Sequence, residues 1–149
     1  KLKHKSIEVL QKFIKQNIKL FFKEFPRKFD TSNLSIICWY NVIRKWEKLH
    51  YHVHRPIEIA GESFISGHLT IACDKTSTHY YSICKNFHWE IKNVPGSLVI
   101  FPSYVPHETD VHLGPSPRIM IAFDIFFNDA CGASPDVLKE GNVLPFKIN

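Results

Sequence analysis

His50, His52 and His54 occupy alternate positions of one short run, Leu49–His54. On a β-strand, side chains alternate across the sheet, so i, i+2 and i+4 share a face. The three imidazoles are therefore expected on one face, with Tyr51 and Val53 on the other. Same-face neighbours lie about 7 Å apart, close enough for two imidazoles to converge on one metal ion. A third ligand has to come from elsewhere in the chain. The best-placed donor is His107, which ends the Pro-bounded segment Phe101-Pro102-Ser103-Tyr104-Val105-Pro106-His107. Two near ligands and one remote ligand form a facial set with open coordination positions, as a catalytic metal needs and a closed structural site does not. The bland alternative is a polar strand face without an ion. His68, His79, His88 and His112 are expected to be solvated or locally hydrogen-bonded.

A second group able to do chemistry is Arg118, at the head of the apolar run Arg118–Phe127. On a strand, Arg118, Met120, Ala122 and Asp124 share one face, and Ile119, Ile121 and Phe123 share the other. Both faces are largely apolar, which predicts a central strand. A guanidinium there needs a partner, and its planar fork suits a carboxylate. Two partners are open at this point: a protein carboxylate such as Asp124, or a bound small dicarboxylate.

The elements that must position these groups follow from pattern. Residues 5–23 predict a helix, because Ile7, Leu10, Ile14, Ile18 and Phe21 recur at spacings of three and four with lysines opposite. Its expected role is to cover a sheet; an amphipathic helix at a membrane surface is the other reading. Pro26 closes the segment. Beyond it the chain turns β-branched and aromatic. Strands are predicted over Leu34–Ile43, Leu49–His54, Phe64–Cys73, Tyr80–Cys84, Phe87–Ile91, Ser97–Phe101 and Arg118–Phe127. Pro95-Gly96 predicts a turn. Residues 102–117, with four prolines, read as loop, and the tail 128–149 reads as irregular with one helical turn near Val137–Glu140. One helix followed by short strands predicts a mainly β fold: a double-stranded β-helix, or jelly roll, with the N-terminal helix packed against it. The expected organisation is one domain over 1–149, made of a helical segment 1–28, a jelly-roll core 34–127 and the tail.

Composition narrows the classes further. At 149 residues and 44% hydrophobic, the chain is neither a disordered tail nor a low-complexity linker, and its length suits one core. No run of 18 apolar residues exists, so no membrane span is expected. The net charge of +5 favours acidic ligands but is too small to point to nucleic acid, and none is expected as a partner. The four cysteines form no C-x-x-C pair, which argues against a cysteine zinc knuckle. They read as reduced and mostly buried in a cytoplasmic protein.

Taken together, the segments resemble the 2-oxoglutarate- and Fe(II)-dependent dioxygenases. The resemblance is to a small subgroup whose core runs W-x-N, H-x-H, S-G, F-P-S-x-x-P-H and then R with an apolar strand ending F-N. The matching pieces are Trp39-Tyr40-Asn41, His52-Val53-His54, Ser66-Gly67, Phe101–His107 and Arg118–Asp124, spread over about residues 37–125. The most specific part is the F-P-S-x-x-P-H segment with an arginine eleven residues after its histidine. The resemblance implies a distorted jelly roll binding Fe(II) through His52, His54 and His107. It also implies 2-oxoglutarate as cosubstrate, its far carboxylate on Arg118. The sequence departs from the subgroup in carrying His68, Leu69 and Thr70 where aromatic residues follow Ser-Gly, and Asp124 where Asn ends the strand. No carboxylate stands two residues after His52 or His54; His50 or Glu58 could replace one of the proposed ligands.

The activity so implied is oxidative decarboxylation of 2-oxoglutarate coupled to hydroxylation of an unidentified substrate. Two other readings remain. The chain could be a catalytically inactive jelly-roll module that binds zinc or another ligand, or a three-histidine dioxygenase that does not use 2-oxoglutarate. Metal analysis with a 2-oxoglutarate titration separates the first, and dependence on Arg118 separates the second.

Overall fold

The computed structural model describes residues 4–24, 32–54, 63–84, 86–127, 143–146 and 148. Helix α1 (Lys5–Lys23) coincides with the predicted helix. Its first turn is capped by His4, whose Nδ1 accepts the Ser6 N–H at 3.2 Å. Eight strands follow: β1 (Leu34–Ile43), β2 (Ser63–Ala72), β3 (Ser77–Tyr81), β4 (His88–Lys92), β5 (Leu98–Pro102), β6 (His107–Thr109), β7 (Arg118–Phe127) and β8 (Val143–Pro145). They form a five-stranded sheet in the order β5-β2-β7-β1-β8 and a three-stranded sheet in the order β4-β3-β6. This is the expected mainly β jelly roll with a helix packed against it.

Strand β7 lies in the middle of the large sheet, antiparallel to β1 and β2 over its length. Its two faces have different jobs, as the alternation predicts. Phe123 and Ile125 point to α1 and pack with Ile14, Ile18, Leu34, Ile36, Ile65 and Phe146 in an apolar core. Arg118, Met120 and Ala122 point the other way, into the space between the two sheets, where they line a cavity. The core and the cavity therefore share one strand. Gly67 on β2 makes room for its neighbours in the sheet: a Cβ there would collide with the Phe123 ring of β7 and lie 2.6 Å from the Val99 carbonyl oxygen of β5. Helix α1 covers only part of the outer face. Beyond its reach, Tyr40, Val42 and Ile71 are exposed. Among the described residues, no helix is long and apolar enough to cross a membrane.

Several expectations need correction. The Leu49–His54 run is not a regular strand; one isolated bridge, His52 to His107, represents it. The third strand is Ser77–Tyr81 rather than Tyr80–Cys84, because Ser77 and Thr78 are buried and paired between β4 and β6 despite their turn-like chemistry. The 102–117 segment holds β6, and the tail contributes β8 to the large sheet beside β1. The helical turn proposed at Val137–Glu140 lies outside the described residues, as do Glu58 and Cys131. Cys38 and Cys84 are exposed and Cys73 is half-buried, all free, so the cysteines are not a buried set. Cys38 falls on the part of β1 that α1 leaves uncovered.

Candidate metal centre

His52, His54 and His107 come together on the inner side of the jelly roll. Each offers a ring nitrogen, and the three nitrogens lie within 4.8 Å of one another. The ring centroids are 4.2 Å apart for His52–His107, 5.2 Å for His54–His107 and 5.5 Å for His52–His54. Pairing explains how residues 52 and 107 meet. The chain from Glu47 to His54 runs alongside residues 103–112, and His52 and His107 exchange both backbone hydrogen bonds, at 3.0 and 2.9 Å. Further ties on either side are Thr109 N–H to the Leu49 carbonyl at 3.1 Å and His54 N–H to the Ser103 carbonyl at 3.1 Å. Such directly opposed residues place side chains side by side on the same face.

The remaining hydrogen bonds set the tautomers. The Nδ1 of His52 lies 2.6 Å from the His50 carbonyl oxygen, that of His107 3.1 Å from the Val105 carbonyl oxygen, and that of His54 2.7 Å from Asp124 Oδ1. A carbonyl oxygen can only accept, so Nδ1 carries the proton in His52 and His107, and the carboxylate asks the same of His54. Each ring is left with an Nε2 lone pair, which is what a metal requires. Burial, opposed by the Val105 carbonyl and reinforced by His52 and His54, pushes His107 down to about 4. At neutral pH its lone pair is therefore free. The arrangement fits a metal ion. His50 is not part of it: its ring is solvent-exposed, and only its carbonyl serves the site.

Arg118 stands at the far end of the same cavity, fully buried. Its Nη2 donates to Thr78 Oγ1 at 3.1 Å, and that hydroxyl donates onward to Asn93 Oδ1 at 3.0 Å. Nε and Nη1 have no partner among the described residues. Asp124 does not supply one, since its Oδ1 is taken by His54 and by the Ser66 hydroxyl at 2.6 Å. Burial lowers the pKa of Arg118 from its ordinary value, opposed by Cys73, Tyr80 and Asp110. Two buried donors without acceptors among the described residues call for an acceptor from a bound molecule.

Sequence reasoning missed two members of this cavity, His68 and Thr78. His68 on β2 is buried, not solvated, and is joined to the Tyr80 hydroxyl by a 2.7 Å hydrogen bond. Burial first, then Arg118, then His107 and His54, push His68 down to about 3. Thr78 steadies the guanidinium. The available signal was parity: Ser66, His68 and Thr70 put a polar residue at every second position of an otherwise apolar strand, which marks a polar inner face. Trp39, Leu49, Phe101, Met120 and Ala122 complete the wall of a cavity of about 120 Å³.

No family model matches the chain, and no curated protein matches it in sequence. Solved structures match it in fold. It superposes with a TM-score of 0.59 on an oxidoreductase of the 2OG-Fe(II) oxygenase family from Burkholderia pseudomallei, at 14% identity over 78% of this chain and 53% of that one. A prolyl-4-hydroxylase from Pseudomonas putida gives 0.52, at 18% identity over 63% and 52%. The chain has the 2OG-Fe(II) oxygenase fold. It spans about half the length of each of these two structures. Within this oxygenase fold, the three imidazoles and the buried arginine face each other across the jelly-roll interior.

Proposed function

We propose that this chain is a non-haem Fe(II) dioxygenase that couples decarboxylation of 2-oxoglutarate to hydroxylation of a second substrate. The observation that carries the reading is the pairing, in one cavity, of three convergent imidazole nitrogens with a buried guanidinium that lacks a carboxylate among the described residues. The likeness of fold supports it. His52, His54 and His107 would hold the metal. Arg118 would hold the far carboxylate of the cosubstrate through Nε and Nη1, with Nη2 kept in place by Thr78. Bound iron(II) supplies the activation of dioxygen and of the keto acid. The protein contributes position and surroundings. His68 and Tyr80 give a polar wall that stays uncharged at neutral pH, since burial lowers the one and raises the other. Trp39, Phe101 and Met120 give the rest of the cavity an apolar wall.

The test is succinate formation from 2-oxoglutarate by the protein supplied with iron(II) and ascorbate, which proceeds as uncoupled turnover even without the second substrate. His107→Ala should abolish it. Arg118→Ala should reduce it at least about 100-fold at low cosubstrate, the loss expected when a buried charged pairing worth roughly 3 kcal/mol disappears. Turnover of dioxygen that ignores Arg118 would favour a three-histidine dioxygenase without 2-oxoglutarate. Tight zinc binding with no binding of 2-oxoglutarate would favour an inactive metal-binding module.

A further inference from the structure

The three imidazoles are not supported alike. His52 and His107 each donate to a neutral backbone carbonyl two residues away in sequence. His54 instead donates to a buried carboxylate seventy residues away, that of Asp124, which is only 4% exposed. That carboxylate is itself fixed: the Ser66 hydroxyl donates to the same oxygen at 2.6 Å, and Ser66 and Asp124 are direct partners in the β2–β7 register. Ser66 in turn meets the Ser103 hydroxyl at 2.8 Å, and Ser103 meets Ser63 at 2.5 Å. Ser103 also holds the other end of His54, its carbonyl accepting the His54 N–H. One network thus grips the ring and the backbone of a single histidine. It also ties that histidine to the segment that carries His107.

We propose that Asp124 is the positioning residue of the metal centre. Its carboxylate locks His54 with Nδ1 protonated and Nε2 free for an ion, and it places beside the ligand the negative charge that an all-imidazole set lacks. The inference rests on the metal-binding reading above. A carboxylate behind a ligating histidine orients the ring and raises its basicity, and removing one typically weakens metal binding 10- to 100-fold. The position is also where this chain departs from the resembling subgroup, which carries Asn. That exchange adds a negative charge one step behind a histidine.

The experiment uses cobalt(II) as a spectroscopic stand-in for iron(II), titrated into the metal-free full chain, together with 15N NMR of the imidazoles to read the His54 tautomer. Asp124→Ala should bind cobalt(II) about 100-fold more weakly, and His54 should become a mixture of tautomers. Asp124→Asn keeps an acceptor oxygen of the same shape. It should retain the Nδ1–H tautomer yet bind about 10-fold more weakly, because the charge is gone. A purely structural residue would lower the melting temperature without moving tautomer or affinity. Binding within twofold of the unsubstituted protein by either variant overturns the proposal. If Asp124→Ala does not fold, the asparagine variant decides alone. His107→Ala is the control. If the unsubstituted chain itself binds no cobalt(II), the metal reading fails, and that outcome is distinct from cobalt(II) binding that is indifferent to residue 124.

Discussion

Arg118 makes a prediction whose sign separates function from stability. A guanidinium fully buried with two unpartnered donors is a desolvation cost to the ligand-free fold. Arg118→Met keeps the stem and removes the charge, and Thr78 keeps its bond to Asn93. The metal-free variant should therefore unfold at a higher urea concentration, by about 1–3 kcal/mol. 2-Oxoglutarate should no longer raise its melting temperature. A variant destabilised without ligand would show that the arginine is paired in the resting protein. The buried histidines give a second prediction. His107 and His68 lie at about 4 and about 3 in the fold against an ordinary 6.5. Between those values the unfolded chain binds protons that the folded chain refuses, so stability is fully present above 6.5 and is lost as pH falls toward the folded values. At about 1.4 kcal/mol per pH unit, each ring removes roughly 2 kcal/mol by pH 5. Urea midpoints of metal-free protein at pH 7, 6 and 5 should fall steadily; a flat profile would mean that the rings are not held neutral.

At the scale of elements, the alternation of faces explains what the sequence could tell and what it could not. Helix α1, β1 and β7 fall on their predicted ranges, because long segments bury a continuous face and leave a clean period. The faces of β7 were legible too, down to Arg118 and Asp124 sharing the inner side. Ser77 and Thr78 were not, because their place in a strand depends on partners fifteen and thirty residues away. His52 and His107 were legible as ligand types expected to meet, but the bridge that joins them, between a run read as strand and a segment read as loop, was not. The role of Asp124 was hidden for the same reason: nothing local links it to His54. Gly67 tests the face assignment directly. It sits where β2 passes between Phe123 and the Val99 carbonyl, and a methyl group there has no room on the backbone side. Gly67→Ala should cost at least about 1–3 kcal/mol, read as a lower urea midpoint, through overpacking that only a shift of β5 or β7 can relieve. An unchanged midpoint would mean that the strands are spaced more widely than described.

For the whole molecule, the sharing of β7 between the helix-side core and the cavity has a consequence for cooperativity. Ile14 and Ile18 of α1 are buried in the same cluster as Phe123 and Ile125, and those two residues alternate along the strand with Ala122 and Asp124 of the inner face. We propose that the chain unfolds as one unit, so that helix loss cannot precede loss of the site. Removing three methylene-sized groups from a fully buried position costs about 2–5 kcal/mol. Ile18→Ala should therefore lower the single unfolding midpoint by that amount and should not create an earlier step confined to the helix. Far-ultraviolet circular dichroism follows α1 and the strands together, while the fluorescence of Trp39, which lines the cavity, follows the site once the exposed Trp46 and Trp89 are replaced by Phe. Coincident urea curves from the two signals, in that background with and without Ile18→Ala, are the expected result. If the helix signal melts first while Trp39 holds its native emission, the helix is an attachment and the jelly roll stands alone. In that case Ile18→Ala would also leave cobalt(II) affinity unchanged at urea concentrations where the helix has already gone.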